Sequence, residues 1–241
     1  MSAPSRATAV GFDLGETLFT YADTPLSWVD HYRPALGQVA RVCGVELTPE
    51  RATVGCDWLA RHNTRLNPRP HEIAADVLFD EILRGWGVDP SVSLRDALTE
   101  FFLYFQQRLA PYPETSDALR SLQKQGFRIG ALTDVPYGMP EDFVQQDLTR
   151  AGVAGFLDVV LTSVGVGRRK PEAEGFCQLA SRLNISTERL WYVGNERKDI
   201  AGANAAGAIS VLIDRQNART DWGQRYTISS LSELSPLLEQ G

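Results

Sequence analysis

Two textures of hydrophobic spacing divide the chain. Residues 24–109 keep apolar side chains at helical intervals, while residues 111–241 alternate short β-rich runs with helical segments. In the first stretch Trp28, Leu36, Val39 and Ala40 share a helical face, and Pro34 must bend or restart that helix. Thr48-Pro49-Glu50 reads as a helix start, a capping hydroxyl followed by proline at the first position. Ile73, Val77, Leu78, Ile82 and Leu83 form a third stripe, ended near Gly85-Trp86-Gly87. Ser93 opens a helix carrying Leu94, Leu98, Phe101, Phe102 and Phe105. The spacing predicts a bundle of about four helices. The aromatic stripe Phe101, Phe102, Tyr104 and Phe105 is read as packing for that bundle, not as a ligand wall.

The second stretch predicts strands at 127–132, 157–161, 190–193 and 209–213, with helices near 114–125, 140–151, 171–183 and 199–206. Such alternation implies right-handed βαβ units and a parallel sheet covered by helices on both faces. An apolar run at 8–13 adds a strand to this sheet, since alone it could not bury itself. The expected architecture is α/β: a doubly wound, Rossmann-like core at 1–22 and 110–241, with an all-helical insertion at 23–109. Hinges are expected at 21–25 and 110–113, and residues 1–7 read as a flexible lead-in.

Composition narrows the function classes. The 241-residue chain is 43% hydrophobic and carries a net charge of −6, and its longest basic cluster is Arg168-Arg169-Lys170. Nucleic acid is not an expected partner. No apolar run approaches the roughly 18 residues of a membrane span. The three cysteines, Cys43, Cys56 and Cys177, match no zinc or redox spacing, so reduced and mostly buried thiols in a cytoplasmic protein are expected. The N-terminal MSAPSRATAV lacks the apolar core of a signal peptide. A monomer or homodimer is expected.

Chemistry gathers where strands end. Asp13 closes the first strand, in TAVGFDLGETL, and Thr133-Asp134 closes RIGALTD. Lys170-Pro171 follows the third strand, and Gly194-Asn195 with Asp199 follows the fourth, in LWYVGNERKD. Each has a plain structural reading as a turn former, helix cap or surface charge. In an open parallel sheet, however, these carboxyl-end positions converge on one crevice. A carboxylate there can act as nucleophile or metal ligand.

This set of motifs resembles the haloacid dehalogenase superfamily, over nearly the whole chain. DLGET matches the family's first motif at Asp13 and Thr17, Thr133 the second, Lys170-Pro171 the third, and Gly194-Asn195…Asp199 the fourth in part. The insertion resembles the family's helical cap. The resemblance implies a phosphohydrolase acting on a small phosphorylated metabolite. Asp13 would attack phosphorus and form an aspartyl-phosphate, with Thr133 and Lys170 as further catalytic groups. Magnesium would be held by Asp13, the Gly15 carbonyl, Asn195 and Asp199. Thr17, Asp134 and Arg33 are the expected substrate-binding residues, and segment 135–140 is expected to border the site. In the cap, His31, His62 and Arg65 are further polar candidates.

Two positions depart from the family pattern. Gly15 stands where the family has its general acid, a role that typically contributes about 10²–10⁴-fold. Glu16 and Asp134 are the neighbouring carboxylates that could substitute. Asn195 replaces a usual metal-binding Asp, which removes one negative charge and predicts weaker magnesium binding unless Glu196 compensates. Both departures also occur in the metal-independent 2-haloacid dehalogenases that this chain resembles at Asp13, Lys170, Asn195 and Asp199. Those enzymes favour Ser where this chain has Gly194, and they need an Arg such as Arg33 or Arg41 for a substrate carboxylate. A catalytically weak binding or regulatory module on the same fold is a third reading.

Overall fold

The computed structural model describes residues 9–22, 25, 27–106 and 108–239. The expected lead-in at 1–7 lies outside the described residues, as do positions 23, 24 and 26 around the first hinge. Strand β1 (Ala9–Phe12) leads through loop 13–18 to the short β2 (Phe19–Tyr21). Four helices follow: α1 (Tyr32–Val42), α2 (Pro49–His62), α3 (Ala75–Gly85) and α4 (Pro90–Phe105). Strand β3 (Leu109–Pro111) then pairs antiparallel with β2, so the two chain crossings of the insertion are stitched together.

The remaining elements alternate. They are α5 (Thr115–Lys124), β4 (Arg128–Thr133), α6 (Glu141–Arg150), β5 (Val159–Thr162), the single turn α7 (Ser163–Val166) and α8 (Glu174–Arg182). After these come β6 (Leu190–Gly194), α9 (Arg197–Ala205), β7 (Ile209–Ile213), β8 (Tyr226–Ile228) and α10 (Leu234–Leu238). The six-stranded parallel sheet has the order β5-β4-β1-β6-β7-β8. The chain builds outward from β1 on one side through β4 and β5, then crosses back to lay β6 on the other. The carboxyl end of β1 is therefore the switch point, where such sheets form their ligand crevice.

Side chains alternate across β1. Val10 and Phe12 join a core shared with α5, α6 and α10, and Ala9 joins the opposite core under α8 and α9. On that second face Gly11 of β1 sits beside Gly130 of β4, and a Cβ at either would stand 2.7 Å from a Leu179 methyl. Two adjacent glycines thus let α8 seat directly on the sheet. The first core continues without a break into the insertion, through Phe105, Tyr137 and Met139 to Leu36, Leu59, Phe79 and Trp86.

Several elements differ from the sequence reading. Pro34 lies in the first turn of α1, where no backbone donor is needed, and a separate 3-10 turn at Val29–His31 precedes it. Helix α4 starts at Pro90, not Ser93, because Asp89 caps it by accepting from the Ser91 N–H at 2.9 Å. Helix α8 begins at Glu174, since the chain at 170–173 is committed to the site. Strands β2, β3 and β8 and helix α10 are too short for periodicity to reveal. The cysteines are less hidden than expected: Cys43 and Cys56 are half-buried and Cys177 is exposed, lying on the outward side of α8. Phe101, Phe102 and Phe105 are buried as core, while Tyr104 is half-buried. Among the described residues no helix is long and apolar enough to cross a membrane.

Candidate active site

Asp13 directly follows β1, and its N–H donates to the Val193 carbonyl of β6 at 2.9 Å, extending the ladder by one residue. That bond fixes the backbone from which the carboxylate projects. The next turn is tight. Glu16 adopts a left-handed φ of 57°, and its N–H donates to the Phe19 carbonyl at 2.7 Å. Strain of this kind persists only where surrounding contacts over-determine it. Here Thr20 and Tyr112 both donate to the Glu16 carboxylate, at 2.6 and 2.8 Å.

Lys170 enters from the loop before α8 and is buried with its ammonium among oxygens. Nζ lies 2.7 Å from Asp13 Oδ1 and 2.6 Å from Asp199 Oδ1. The Tyr192 hydroxyl is 3.3 Å away and itself donates to the Leu132 carbonyl at 2.7 Å. Burial alone would lower the lysine pKa, but the two carboxylates outweigh it and hold the ammonium well above its usual range. Burial pushes the Asp13 carboxyl up to about 6 in spite of the lowering pull of Lys170.

Asp199 sits in the first turn of α9. Its Oδ2 accepts from the Glu196 N–H at 2.9 Å, one half of a capping box that starts the helix. Its Oδ1 is buried and pairs with the Lys170 ammonium at 2.6 Å. A Cβ added at Gly194 would fall 2.4–2.5 Å from the Asp199 side chain, so this carboxylate occupies the place of a side chain at 194. Thr17 is fully buried and donates from Oγ1 to Asn195 Oδ1 at 3.1 Å. It orients Asn195 and does not line the cavity, so its expected substrate contact is replaced by a supporting role.

A cavity of about 190 Å³ opens at Asp13, lined also by Gly15, Thr133, Asp134 and Val135 from the sheet edge, while Lys170, Asn195 and Asp199 lie outside its lining. Trp28, Asn63, Thr64, Arg65 and Phe105 of the insertion complete it. Segment 135–140 does border it, through Val135, Pro136, Tyr137 and Met139. Asp134 lies in the wall, with Lys198 Nζ at 3.0 Å, Arg169 at 3.7 Å and the Lys170 N–H at 3.0 Å. Burial would raise its pKa, but the three cations hold it below the usual carboxylate range. Asp134 is thereby ionised at neutral pH and cannot replace the acid missing at Gly15. Glu16 is committed to Thr20 and Tyr112 and is no better placed. Arg33 is exposed on α1 and outside the cavity lining, contrary to expectation; Pro34 and the start of α1 turn it to the surface. His31 and His62 are also outside that lining, whereas Arg65 is in it.

Sequence reasoning missed two participants, Lys198 and Arg169, and the partner that Arg65, a named cap candidate, finds in the core. Arg65 reaches across to Glu196 with two hydrogen bonds, one of 3.1 Å, and Lys198 joins the same carboxylate at 3.2 Å. Glu196 is therefore spent on cations and does not compensate for Asn195. Arg169 donates to the Val135 carbonyl at 2.9 Å and pairs with Glu72, whose carboxylate is also held by Ser163 at 2.6 Å. Only the neighbouring positions in GRRK and VGNERKD hinted at these roles.

Among the described residues no cluster of three or more His, Cys, Asp or Glu side chains is preassembled for a metal. The available donors are all hard oxygens: the Asp13 and Asp199 carboxylates, the Asn195 amide and the Gly15 carbonyl. Two carboxylates with two neutral oxygens are the donor chemistry a hard divalent cation takes, so this set fits magnesium.

Residues 8–207 match the haloacid dehalogenase-like hydrolase family. A glyceraldehyde 3-phosphate phosphatase from Methanopyrus kandleri is 36% identical over 141 residues, 57% of this chain and 58% of that protein. The chain thus aligns with little more than half of that curated relative's length. Among solved structures, a HAD phosphatase from Thermococcus onnurineus aligns with a TM-score of 0.63 at 22% identity, covering 96% of this chain and 97% of that one. A 2-haloacid dehalogenase from Pseudomonas syringae pv. Tomato aligns with a TM-score of 0.67 at 24% identity, covering 97% and 98%. At such identities the structural likeness speaks to the fold, and the fold is common to both chemistries. From the residues matched and the sheet that carries them, the chain belongs to the haloacid dehalogenase-like hydrolase family.

Proposed function

We propose that this protein is a magnesium-dependent phosphohydrolase that removes the phosphoryl group from a small phosphorylated metabolite. The observation that carries this reading is the seat of Asp199. Its carboxylate fills the space where a side chain at position 194 would stand, leaving room there for glycine alone. The serine that dehalogenases of this family favour before the Asn does not fit with Asp199 in this place. Arg33, a candidate for a haloacid carboxylate, is exposed on α1, outside the cavity lining.

In this reading Asp13 attacks phosphorus and the P–O bond to the alcohol breaks, leaving a phosphoryl group on the Asp13 carboxylate. Water then attacks the same phosphorus, releasing inorganic phosphate and restoring Asp13. Lys170 holds the nucleophile in place and offsets charge on the phosphoryl oxygens, and the Thr133 hydroxyl hydrogen-bonds one of them. Asp13, Gly15, Asn195 and Asp199 would hold magnesium, which supplies the remaining positive charge against the phosphate dianion. The leaving oxygen takes its proton from water, since neither Glu16 nor Asp134 is available as an acid. Residues 23–109 act as a cap, closing Trp28, Arg65 and Phe105 over the substrate. The curated relative's substrate, glyceraldehyde 3-phosphate, is of the expected size and class.

The test is direct. Purified protein is assayed with p-nitrophenyl phosphate plus magnesium and with 2-chloropropionate plus EDTA. Phosphate release without halide release is expected, and Asp13→Asn abolishes it. Halide release, or turnover surviving in Asp13→Asn, overturns the reading.

A further inference from the structure

The phosphoryl chemistry leaves one polar group in the cavity wall unused. Tyr21 of β2, Gln106 just after α4 and Asp147 of α6 all line the cavity and converge on one another. Asp147 Oδ2 accepts from the Tyr21 hydroxyl and from Gln106 Nε2, the latter at 2.7 Å. Gln106 Nε2 also reaches the Phe143 carbonyl at 3.2 Å, which fixes the amide orientation. This leaves two acceptors, Asp147 Oδ1 and Gln106 Oε1, buried without a hydrogen bond on residues only 2% exposed. The Arg150 guanidinium comes no nearer to Asp147 Oδ1 than 3.7 Å. Buried acceptors are ordinarily satisfied, so two without a hydrogen bond on residues that line the cavity leave places for donors brought by a ligand.

Charge selects the kind of donor. The cations lining the cavity are already committed, Arg65 to Glu196, Arg169 to Glu72 and Asp134, and Lys198 to Asp134 and Glu196. A second anionic group on the substrate meets carboxylates and no uncommitted cation among the described lining residues. An ammonium tail would have to share Asp147 with Arg150. A hydroxyl donates to both open acceptors without adding charge.

Resting on the phosphatase reading, we propose that Asp147 and Gln106 are specificity-determining residues that select a phosphate ester with an uncharged, hydroxylated tail. They reject esters whose tail carries a carboxylate. Burying an unpaired polar group is what makes such selection steep.

The experiment measures kcat/KM of the full chain with magnesium on glycerol 3-phosphate, 2-phosphoglycolate and O-phosphoethanolamine. Glycerol 3-phosphate is expected to exceed each of the others at least tenfold. In Asp147→Asn and in Gln106→Leu, each checked for folding by thermal melting, the glycerol-to-glycolate ratio falls at least fivefold. The proposal is overturned if either charged ester equals glycerol 3-phosphate in the unaltered protein, a ranking that needs no variant. It is also overturned if the ratio is unchanged in a folded variant. If p-nitrophenyl phosphate is hydrolysed but none of the three esters is, this inference fails alone. If p-nitrophenyl phosphate is also untouched, the phosphatase reading fails with it.

Discussion

The Lys170 ammonium lies 2.6 Å from the Asp199 carboxylate, at the bottom of the sheet's crevice, and both residues are buried. The same ammonium reaches Asp13 at 2.7 Å, so one buried cation neutralises two buried anions. Such groups stabilise only as a set, because each one left alone keeps its full desolvation penalty.

Removing the cation should expose that penalty. Lys170→Met is expected to destabilise the metal-free protein by about 3–5 kcal/mol at neutral pH. Asp13 already has its pKa raised from 3.8 to about 6 by burial, so its contribution to stability is largest below pH 4 and is lost as the pH rises through 6. Without the lysine that rise is larger. The variant's deficit relative to the unaltered protein should therefore be smaller at pH 5 than at pH 8, read by urea unfolding in EDTA. An equal deficit at both values contradicts the arrangement.

Gly194→Ala tests the seat of Asp199. The added methyl would stand about 2.4 Å from the Asp199 Cβ, so the carboxylate must move. Overpacking of this kind costs about 1–3 kcal/mol. Loss of most phosphate release together with a lowered melting temperature is expected, and full activity in this variant would show that the position of Asp199 is immaterial.

Asn195 supplies an amide where a carboxylate would bind a hard cation more strongly. Asn195→Asp is expected to lower the magnesium concentration that half-saturates phosphate release. The unaltered protein should need more than micromolar metal, and chelation should silence it. Saturation already at micromolar magnesium would argue against this view of the ligand set.

Gly15 leaves open space where a Cβ would stand, with no atom within 4 Å. Gly15→Asp therefore fits, and in the proposed mechanism it would place a carboxyl beside the leaving oxygen. Rates on alkyl phosphates should rise by about tenfold or more, up to the 10²–10⁴-fold that general acids provide, while p-nitrophenyl phosphate gains little. A uniform change across leaving groups would exclude a proton-transfer role for this position.

What was legible in the sequence was local. Alternating apolar runs at 8–13, 127–132 and 190–193 announce β1, β4 and β6, because a buried strand must be apolar along its length. The polar residues that end those runs, Asp13, Thr133 and Asn195, followed from the same pattern, as did Lys170 and Asp199 through their motifs. Short pieces such as β2, β3 and β8 escaped, since three residues carry no period. Roles decided by partners far along the chain escaped too. Thr17 and Asn195 are 178 residues apart, and Tyr21 and Asp147 are 126 apart, yet each pair shares a hydrogen bond. Asp134 and Glu196 read as spare carboxylates until Lys198, Arg169 and Arg65 are seen to claim them. Hydrophobic periodicity is written residue by residue, so the chain alone determined the five longer strands of the sheet and which groups stand at their ends. Burial and charge pairing depend on what the fold brings alongside, so only the tertiary structure decided which of those groups face the cavity, which are already paired, and which remain open.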